Sequence, residues 1–317
     1  MTADSAHPLV AIVGPTASGK STLGVWLAER LHGEVIACDS TQLYRGFDIG
    51  TAKPSKEERL RIKHHLLDVL DGSEEATAGS YRERAIEVLE ELRARKKLPI
   101  FTVGTGLYLR VLLEGLADVP QRSEELRQRL RASAAEHGPG HLHRVLQRMD
   151  RESAQKIAAA DEQKLIRAIE VCSLAKRRLS EVHRTGQKPL EGWRAVKVGL
   201  APEREKLYER VHARTDDMLR AGWLEEVQDL LQIGIPEGAK AFDFIGYREL
   251  RGVLRGETKL EDARAAIQQA TRRYAKRQMT WFRREKGVTW LNGFGDEERI
   301  RQEALETLRA VLAASIS

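Results

Sequence analysis

The 317-residue sequence predicts an α/β protein, a parallel sheet covered by helices and interrupted by an all-helical segment. Short apolar runs alternate with amphipathic patterns over the first 116 residues, strand patterns are missing from 121 to 190, and one returns at Arg194–Leu200. Such continuous apolar runs are typical of parallel strands buried on both faces. We therefore expect a core formed by residues 1–119 and 193–317 and a helical insertion domain at residues 120–192.

The elements follow in order along the chain. Strands are predicted at Leu9–Val13, Val35–Cys38, His65–Leu70, Pro99–Val103 and Arg194–Leu200. Helical spacing of apolar residues predicts helices at Ser21–Leu31 and Tyr81–Arg95. The insertion has helical segments broken at His137–His141 and Arg184–Pro189, and only helices are predicted from Arg204 onward. Ligands of such sheets bind at the carboxyl ends of the strands, so functional residues are expected directly after them.

Composition excludes several classes of protein. Hydrophobic residues make up 41% and charged residues 32%, which is typical of a soluble globular chain. The two cysteines, Cys38 and Cys172, are too few for a disulfide framework or a cysteine-rich zinc module. The sequence has no apolar run long enough to span a membrane, no signal-peptide pattern and no coiled-coil repeat. We therefore expect a cytoplasmic monomer without a membrane partner.

Positive charge is concentrated in two segments. Gln121–Leu190 contains 15 Lys/Arg against 9 Asp/Glu, and Ala270–Trp290 contains 7 Lys/Arg against one Glu. The rest of the chain is acidic, with 31 Lys/Arg against 37 Asp/Glu, although the whole protein carries a formal charge of +6. This distribution predicts a large anionic partner more strongly than the total charge does.

The segment Gly14–Ser21, GPTASGKS, fits the phosphate-binding pattern G-x-x-x-x-G-K-[ST] between a predicted strand and a predicted helix. Its members are Gly14, Pro15, Thr16, Ala17, Ser18, Gly19, Lys20 and Ser21. The glycines let backbone amides surround a phosphate, Lys20 neutralises its charge, and the Ser21 hydroxyl can bind Mg²⁺. The core is therefore predicted to be P-loop NTPase-like and to bind a diphosphate or polyphosphate.

Two further strand ends carry candidate catalytic residues. Asp39 follows the second strand, where its carboxylate can accept a proton from a nucleophile; a helix-capping Asp is an equally good interpretation. Thr105 follows the Pro99–Val103 strand, where its hydroxyl can bind phosphate, orient a nucleophile or cap a helix. No H-E-x-x-H or G-x-S-x-G motif occurs, which leaves a zinc protease or serine hydrolase without support.

The basic segments leave two interpretations open. Lys164 and Arg167 lie one turn apart on a predicted helix, which suits either a solvated face or an anion-binding face. Tyr274, Trp281 and Phe282 alternate with cations, a combination that suits base stacking with phosphate neutralisation. An amphipathic helix with buried aromatic residues explains the same pattern.

Several motifs together resemble the bacterial tRNA dimethylallyltransferases, also called tRNA isopentenyltransferases. They are, in order, GPTASGKS, DSTQLYRGFDIGTAKPS, TVGTGLY, DEQKLIRAIEV, FIGYREL and RRYAKRQMTWFRR. The resemblance extends from Val10 to about Leu291. The chain departs from the family pattern in having Val103-Gly104-Thr105 where many members carry Gly-Gly-Thr, and Lys164 where an arginine is expected.

The resemblance implies transfer of a dimethylallyl group from dimethylallyl diphosphate to the exocyclic amine of an adenine. That adenine lies just 3′ of the anticodon in tRNAs that read codons beginning with U. By the same resemblance, Thr16–Ser21 would hold the diphosphate with Mg²⁺, Asp39 would be the general base, and Thr105 would lie near the target nucleotide. Arg214, or less firmly Arg210, would stabilise the leaving diphosphate.

The resemblance also assigns contacts with the anticodon stem-loop. They are Asp39, Ser40, Thr41, Gln42, Thr105, Arg127, Gln163, Lys164, Leu165, Ile166, Arg167, Arg248, Lys276, Arg277, Gln278 and Arg283. The phosphate loop marks members of this family as nucleotide-binding and ATP-binding, but ATP is not expected to be the substrate.

Two other functions use the same residues. A small-molecule kinase would use Gly14–Ser21 with Asp39 as the base toward a hydroxyl, but it needs no RNA-sized basic surface. An RNA-binding regulatory ATPase would hydrolyse nucleotide in response to RNA without modifying it. Label transferred from dimethylallyl diphosphate to tRNA distinguishes the transferase from both alternatives.

Overall fold

A computed structural model describes residues 6–117, 119–120, 122–185 and 188–313. Within these residues six strands form one parallel sheet in the order β3-β2-β4-β1-β5-β6. The strands are β1 (His7–Val13), β2 (Gly33–Cys38), β3 (His64–His65), β4 (Leu98–Val103), β5 (Trp193–Leu200) and β6 (Val288–Leu291). β1 lies at the centre, where Val10 is in register with Ile100 on one side and Val196 on the other. The predicted α/β class is confirmed.

Fourteen α-helices are present in the described residues. They are α1 (Lys20–Arg30), α2 (Lys56–Arg61), α3 (Ala78–Ala94), α4 (Gly106–Glu114), α5 (Glu124–His137), α6 (His141–Met149), α7 (Arg151–Lys156), α8 (Glu162–Ala175), α9 (Leu179–Thr185), α10 (Arg204–Arg220), α11 (Trp223–Gln232), α12 (Tyr247–Leu254), α13 (Leu260–Phe282) and α14 (Glu298–Ala313). A short 3-10 helix covers Lys240–Asp243. None of the described helices combines the length and the apolar character needed to cross a membrane.

The chain divides into two compact units. One contains residues 1–113 and 191–317, and the other contains residues 114–190. The sequence placed these boundaries at 119/120 and 192/193, inside the loops that follow α4 and precede β5. In the first unit, the fully buried residues of β1 pack with α1 and α14. This packing fixes the carboxyl end of β1 and therefore the loop that follows it.

The second unit is all-helical in its described residues. Leu142, Leu146, Leu165 and Ile169 form its core. Asp150 caps α7 by accepting the Ser153 amide, and it also accepts the Ser180 amide at 2.8 Å. Burial opposes the charge of Asp150, but hydrogen bonds from Ser153 and Ser180 lower the pKa of its carboxyl to about 2. This carboxylate ties the start of α7 to α9.

Two sequence expectations about strands are wrong. The strand expected at His65–Leu70 is limited to His64–His65, because Leu66 and Asp68 take positive φ angles of 59° and 56° and end the extended backbone. The strand β6 was not expected, since it has only four residues and begins six residues after the end of a long basic helix. The predicted break at His137–His141 lies between α5 and α6. The break at Arg184–Pro189 includes residues 186–187, which lie outside the described residues.

Candidate active site

Three loops meet at the carboxyl edge of the sheet. The phosphate loop Gly14–Ser21 follows β1, Asp39–Gln42 follows β2, and Gly104-Thr105 follows β4. Because β2, β4 and β1 are neighbours in a parallel sheet, their carboxyl ends lie side by side. The fold thus brings the three predicted loops together.

The phosphate loop needs glycine at two points. Gly14 and Gly19 take φ angles of 142° and 86°, and a Cβ at either position would lie 2.8 Å from backbone atoms of Leu200 or Gly295. The Gly295 amide donates to the Ser18 carbonyl at 2.9 Å and supports the loop from outside. The loop is therefore held on two sides by backbone that only glycine can approach.

Lys20 folds back over the loop. Its Nζ donates to the carbonyl of Gly14 at 3.0 Å and to that of Pro15 at 2.7 Å. Burial lowers the pKa of Lys20 to about 7; the Asp39 carboxylate raises it and the Arg214 guanidinium lowers it. A phosphate bound in the loop would favour the charged ammonium.

Asp39 begins a tight turn, and no helix starts there, so the helix-cap interpretation is wrong. Its Oδ1 accepts the Thr41 amide at 2.9 Å and the Thr41 hydroxyl at 2.8 Å. Its Oδ2 lies against Gly104, where a Cβ would overlap it. The carboxylate is thus fixed between its own turn and the end of β4.

The Thr105 hydroxyl holds the same loop. It accepts the Ser40 amide at 3.0 Å and donates to the Ser40 hydroxyl at 3.2 Å. Gln42 is held at the other end of the loop, where its Nε2 donates to the carbonyls of Thr51 and Ala52 at 3.1 Å. Thr105 and Gln42 therefore both fix the path of the Asp39–Gln42 loop.

Two adjoining cavities open at this edge. The phosphate-loop cavity, about 250 Å³, is lined by Thr16–Thr22 together with polar residues of the neighbouring loops. The apolar-walled cavity, about 310 Å³, has walls formed by Val211, Met218, Trp223, Phe244 and Ile267. Thr16, Ala17, Asp39, Thr51 and Arg214 line both. Asp39 and Arg214 therefore lie where the polar phosphate-loop cavity meets the apolar-walled cavity.

The two candidate arginines of α10 have different surroundings. Arg214 lines both cavities; burial lowers the pKa of its guanidinium and the Asp39 carboxylate raises it. Arg210, one turn earlier, binds Asp296 at 2.7 Å and covers the ring of Phe294 at 3.6 Å. The geometry favours Arg214 as the cation that faces a bound diphosphate.

A support that no sequence motif indicated holds the loop after Asp39. The Glu226 carboxylate accepts the amides of Asp48 and Ile49 at 3.0 and 2.7 Å and the hydroxyl of Tyr247 at 2.6 Å. Lys53, with a side chain only 1% exposed, donates to the Asp68 carboxylate at 2.5 Å. GTAKPS marked the loop in the sequence, but no motif marked Glu226.

Burial divides the residues that the resemblance assigned to RNA. Gln163, Lys164, Arg248, Lys276, Arg277 and Arg283 are exposed. Leu165 and Ile166, by contrast, are 1% and 4% exposed and their side chains belong to the core of the helical unit, so the assignment of these two residues to RNA stays a prediction. Gln278 is buried as well, and its amide is used inside the protein.

The aromatic residues of α13 face inward. Phe282 is fully buried, and Gly106 allows the Trp281 indole to pack closely against the start of α4. Tyr274 lines the apolar-walled cavity and donates to the Gly104 carbonyl at 3.2 Å. Of the two interpretations left open, the amphipathic helix with buried aromatics is the correct one for Phe282.

Two arginines in the helical unit share a buried acid. Glu170 is fully buried and accepts Arg127 at 2.9 Å and Arg167 at 2.6 Å. Lys164, by contrast, is 71% exposed and pairs with Asp161. Lys164 is thus free to exchange its partner for a phosphate at little cost, whereas Arg127 and Arg167 stabilise the unit itself.

Comparison with known proteins gives a consistent result. A family model described as IPP transferase matches residues 42–285. A tRNA dimethylallyltransferase of Koribacter versatilis is 50% identical, with 95% of this chain and 98% of that protein covered. One of Solibacter usitatus is 47% identical, with 96% and 99% covered.

Solved structures agree with the relatives. A tRNA isopentenylpyrophosphate transferase from Bacillus halodurans is 36% identical, with 98% of both chains covered and a TM-score of 0.72. A eukaryotic dimethylallyltransferase acting on tRNA is 27% identical, with a TM-score of 0.80, and covers 96% of this chain and 78% of its own.

Proposed function

Because the chain belongs to the IPP transferase family, we propose that it transfers a dimethylallyl group from dimethylallyl diphosphate to tRNA. The acceptor is the exocyclic amine of the adenine next to the anticodon on its 3′ side, in tRNAs that read codons beginning with U. The products are isopentenyladenosine in the tRNA and free diphosphate.

The observation that carries this proposal is the junction of the two cavities. A diphosphate fits the phosphate-loop cavity, where Lys20 and backbone amides surround it. An isoprenoid chain is apolar and the flat faces of a purine stack on apolar side chains, so both suit the apolar-walled cavity. Asp39 and Arg214 line both compartments and so lie where the two substrates would react.

The proposed reaction forms one bond and breaks one bond. The adenine nitrogen attacks the first carbon of the prenyl group, and the bond from that carbon to the diphosphate oxygen breaks with its electron pair on the diphosphate. Asp39 accepts the proton that leaves the nitrogen. Lys20 and Arg214 stabilise the charge that develops on the diphosphate. The target base must leave its stack to reach this edge.

Mg²⁺ fits the phosphate-loop cavity as a partner of the substrate. No cluster of three or more His, Cys, Asp or Glu side chains suitable for a metal occurs among the described residues. The Ser21 hydroxyl lines the cavity, and Mg²⁺ commonly binds one protein oxygen together with phosphate oxygens and waters. When bound, it would neutralise charge on the diphosphate.

The RNA-binding part of the proposal uses the exposed cations. Lys276, Arg277 and Arg283 on or next to α13, Arg248 on α12 and Lys164 on α8 are available to phosphates of the anticodon stem-loop. The protein would act as a monomer in the cytoplasm.

The decisive experiment supplies labelled dimethylallyl diphosphate, Mg²⁺ and unmodified tRNA to the full chain. We expect label in tRNA that has an adenine next to the anticodon, and none in the same tRNA with guanine there. A parallel reaction replaces the prenyl donor with ATP. Consumption of ATP with no prenyl label in the first reaction would instead support one of the two ATP-using alternatives.

A further inference from the structure

The side chain of Gln278 bridges two parts of the site. Gln278 lies on α13 and is 6% exposed. Its Oε1 accepts the Thr16 amide of the phosphate loop at 2.7 Å, and its Nε2 donates to the Gly104 carbonyl at 2.8 Å. The donor at Thr16 and the acceptor at Gly104 define the orientation of the amide. One side chain thus joins the loop after β1 to the loop after β4.

Gly104 is the residue against which Asp39 rests. A Cβ at Gly104 would overlap Asp39 Oδ2, so this turn lies in direct contact with that carboxylate oxygen and limits where it can move. The Tyr274 hydroxyl, one helical turn before Gln278, donates to the same carbonyl at 3.2 Å. The Trp281 indole packs closely against Gly106 at the start of α4. One face of α13 therefore holds the segment Gly104–Gly106 with three side chains, two at the Gly104 carbonyl and one at Gly106.

We propose that Gln278 is a positioning residue that sets the phosphate loop at a fixed distance from the Asp39 carboxylate. This inference rests on the proposed function for its meaning in catalysis. The diphosphate would be held by the loop that Gln278 bonds on one side, and the base would lie against the turn that Gln278 bonds on the other. A small misplacement of reacting groups reduces a rate strongly without changing how tightly RNA binds.

The proposal differs from the role that the sequence suggested. Gln278 lies between exposed cations in the AKRQMTWFR motif, which indicated RNA contact. Lys276 and Arg277, its neighbours, are exposed on the helix, but Gln278 itself faces the sheet edge. α13 therefore has Lys276 and Arg277 on its exposed face and Gln278 on the face that meets the site.

The test compares Gln278→Met, which removes both hydrogen bonds and keeps a similar length, with Gln269→Met at an exposed position of the same helix. For Gln278→Met we expect kcat to fall by about ten- to a hundredfold and the Kd for tRNA to stay within about twofold. Amide hydrogen exchange of a peptide containing Thr16 should become faster. Gln269→Met should change none of these quantities.

A second variant distinguishes the loss of the bridging hydrogen bonds from a general folding defect. Gln278→Glu keeps an acceptor for the Thr16 amide, loses the donor to Gly104 and brings negative charge to the phosphate loop. It should weaken binding of inorganic pyrophosphate at least tenfold, with the thermal unfolding midpoint as the check of folding. Either of two results overturns the proposal. The first is weaker tRNA binding with an unchanged kcat. The second is that kcat, the Kd for pyrophosphate and the rate of amide hydrogen exchange are all unchanged in both variants. If the wild-type protein transfers no label, the proposed function fails, while pyrophosphate binding and amide exchange still test the bridge.

Discussion

At the scale of single residues, the two carboxylate oxygens of Asp39 make different contacts. Oδ1 accepts two hydrogen bonds from Thr41, and Oδ2 rests against Gly104 at the junction of the cavities. Asp39→Asn keeps an oxygen for Thr41 and removes the base. We expect the single-turnover rate of prenyl transfer to fall by about 10²- to 10⁴-fold. Pyrophosphate affinity, measured by calorimetry, should change much less.

Asp229→Asn is the matched control for this variant, because Asp229 is exposed on α11. It should leave both quantities unchanged. A rate for Asp39→Asn within about threefold of the wild type would show that Asp39 is not the general base.

Arg214 and Arg210 form a natural pair for a second prediction, since they lie one turn apart on α10. Arg214→Met removes a cation that lines both cavities and should lower kcat by about a hundredfold or more. Arg210→Met breaks an exposed pair with Asp296 and should lower kcat only a few-fold. Steady-state kinetics with saturating tRNA measure both, and the reverse order of effects would assign the leaving-group role to Arg210.

At the scale of elements, a buried carboxylate joins the edge of the sheet to a helix end. Glu34 on β2 accepts Arg95 at 2.6 and 2.8 Å and His65 of β3 at 2.7 Å. Glu34→Gln removes the buried charge that Arg95 and His65 share and leaves Arg95 with only its exposed partner Glu91. We expect the free energy of unfolding to fall by about 2–4 kcal/mol at pH 7, measured by urea denaturation. Glu91→Gln, which breaks exposed pairs with Lys63 and Arg95, should cost less than about 1 kcal/mol.

The same carboxylate makes stability depend on pH. Burial opposes its charge, but hydrogen bonds from Arg95 and His65 lower the pKa of Glu34 from 4.5 to about 2. A lowered carboxyl pKa stabilises the fold above the unfolded value and loses that contribution as pH falls toward the folded value. The difference in unfolding free energy between wild type and Glu34→Gln should therefore be constant from pH 7 to about 5 and shrink between pH 4.5 and 2. A difference that stays constant down to pH 3 would contradict this assignment.

Strands and helices that depend on local sequence could be predicted, and those that depend on distant contacts could not. Leu9–Val13 and Pro99–Val103 are continuous apolar runs bounded by turn residues, and both are strands in the fold. β3 could not be delimited, because the positive φ angles at Leu66 and Asp68 arise from the packing of the loop and not from a glycine in the sequence. β6 is only four residues long and gains its partner from β5, far away in the chain.

At the scale of the whole molecule, the predicted site depended on sheet topology more than on any motif. The three strand ends that carry Gly14–Ser21, Asp39 and Thr105 were predictable, because parallel strands present their carboxyl ends together. The role of Gln278 was not predictable, since the burial of its side chain depends on which face of α13 meets the turn after β4. A glutamine between cations has no sequence signal that separates a buried bridge from an RNA contact.

The distribution of charge over the molecule gives the last prediction. Lys164 and Lys206 are both exposed lysines that pair with an acid three residues earlier, Asp161 and Glu203. Only Lys164 lies in a segment assigned to RNA. Lys164→Ala should weaken tRNA binding and reduce the slope of log K against log salt by about 0.7–0.9, the value expected for one lost phosphate contact.

Lys206→Ala removes the same charge from the same kind of exposed pair and should leave that slope unchanged. Filter binding or fluorescence anisotropy between about 50 and 200 mM salt measures both variants. Equal losses for Lys164→Ala and Lys206→Ala would mean that tRNA senses only the net charge of the protein. An unchanged slope for Lys164→Ala would show that Lys164 contacts no phosphate, because the loss of a phosphate contact must reduce the number of counterions released.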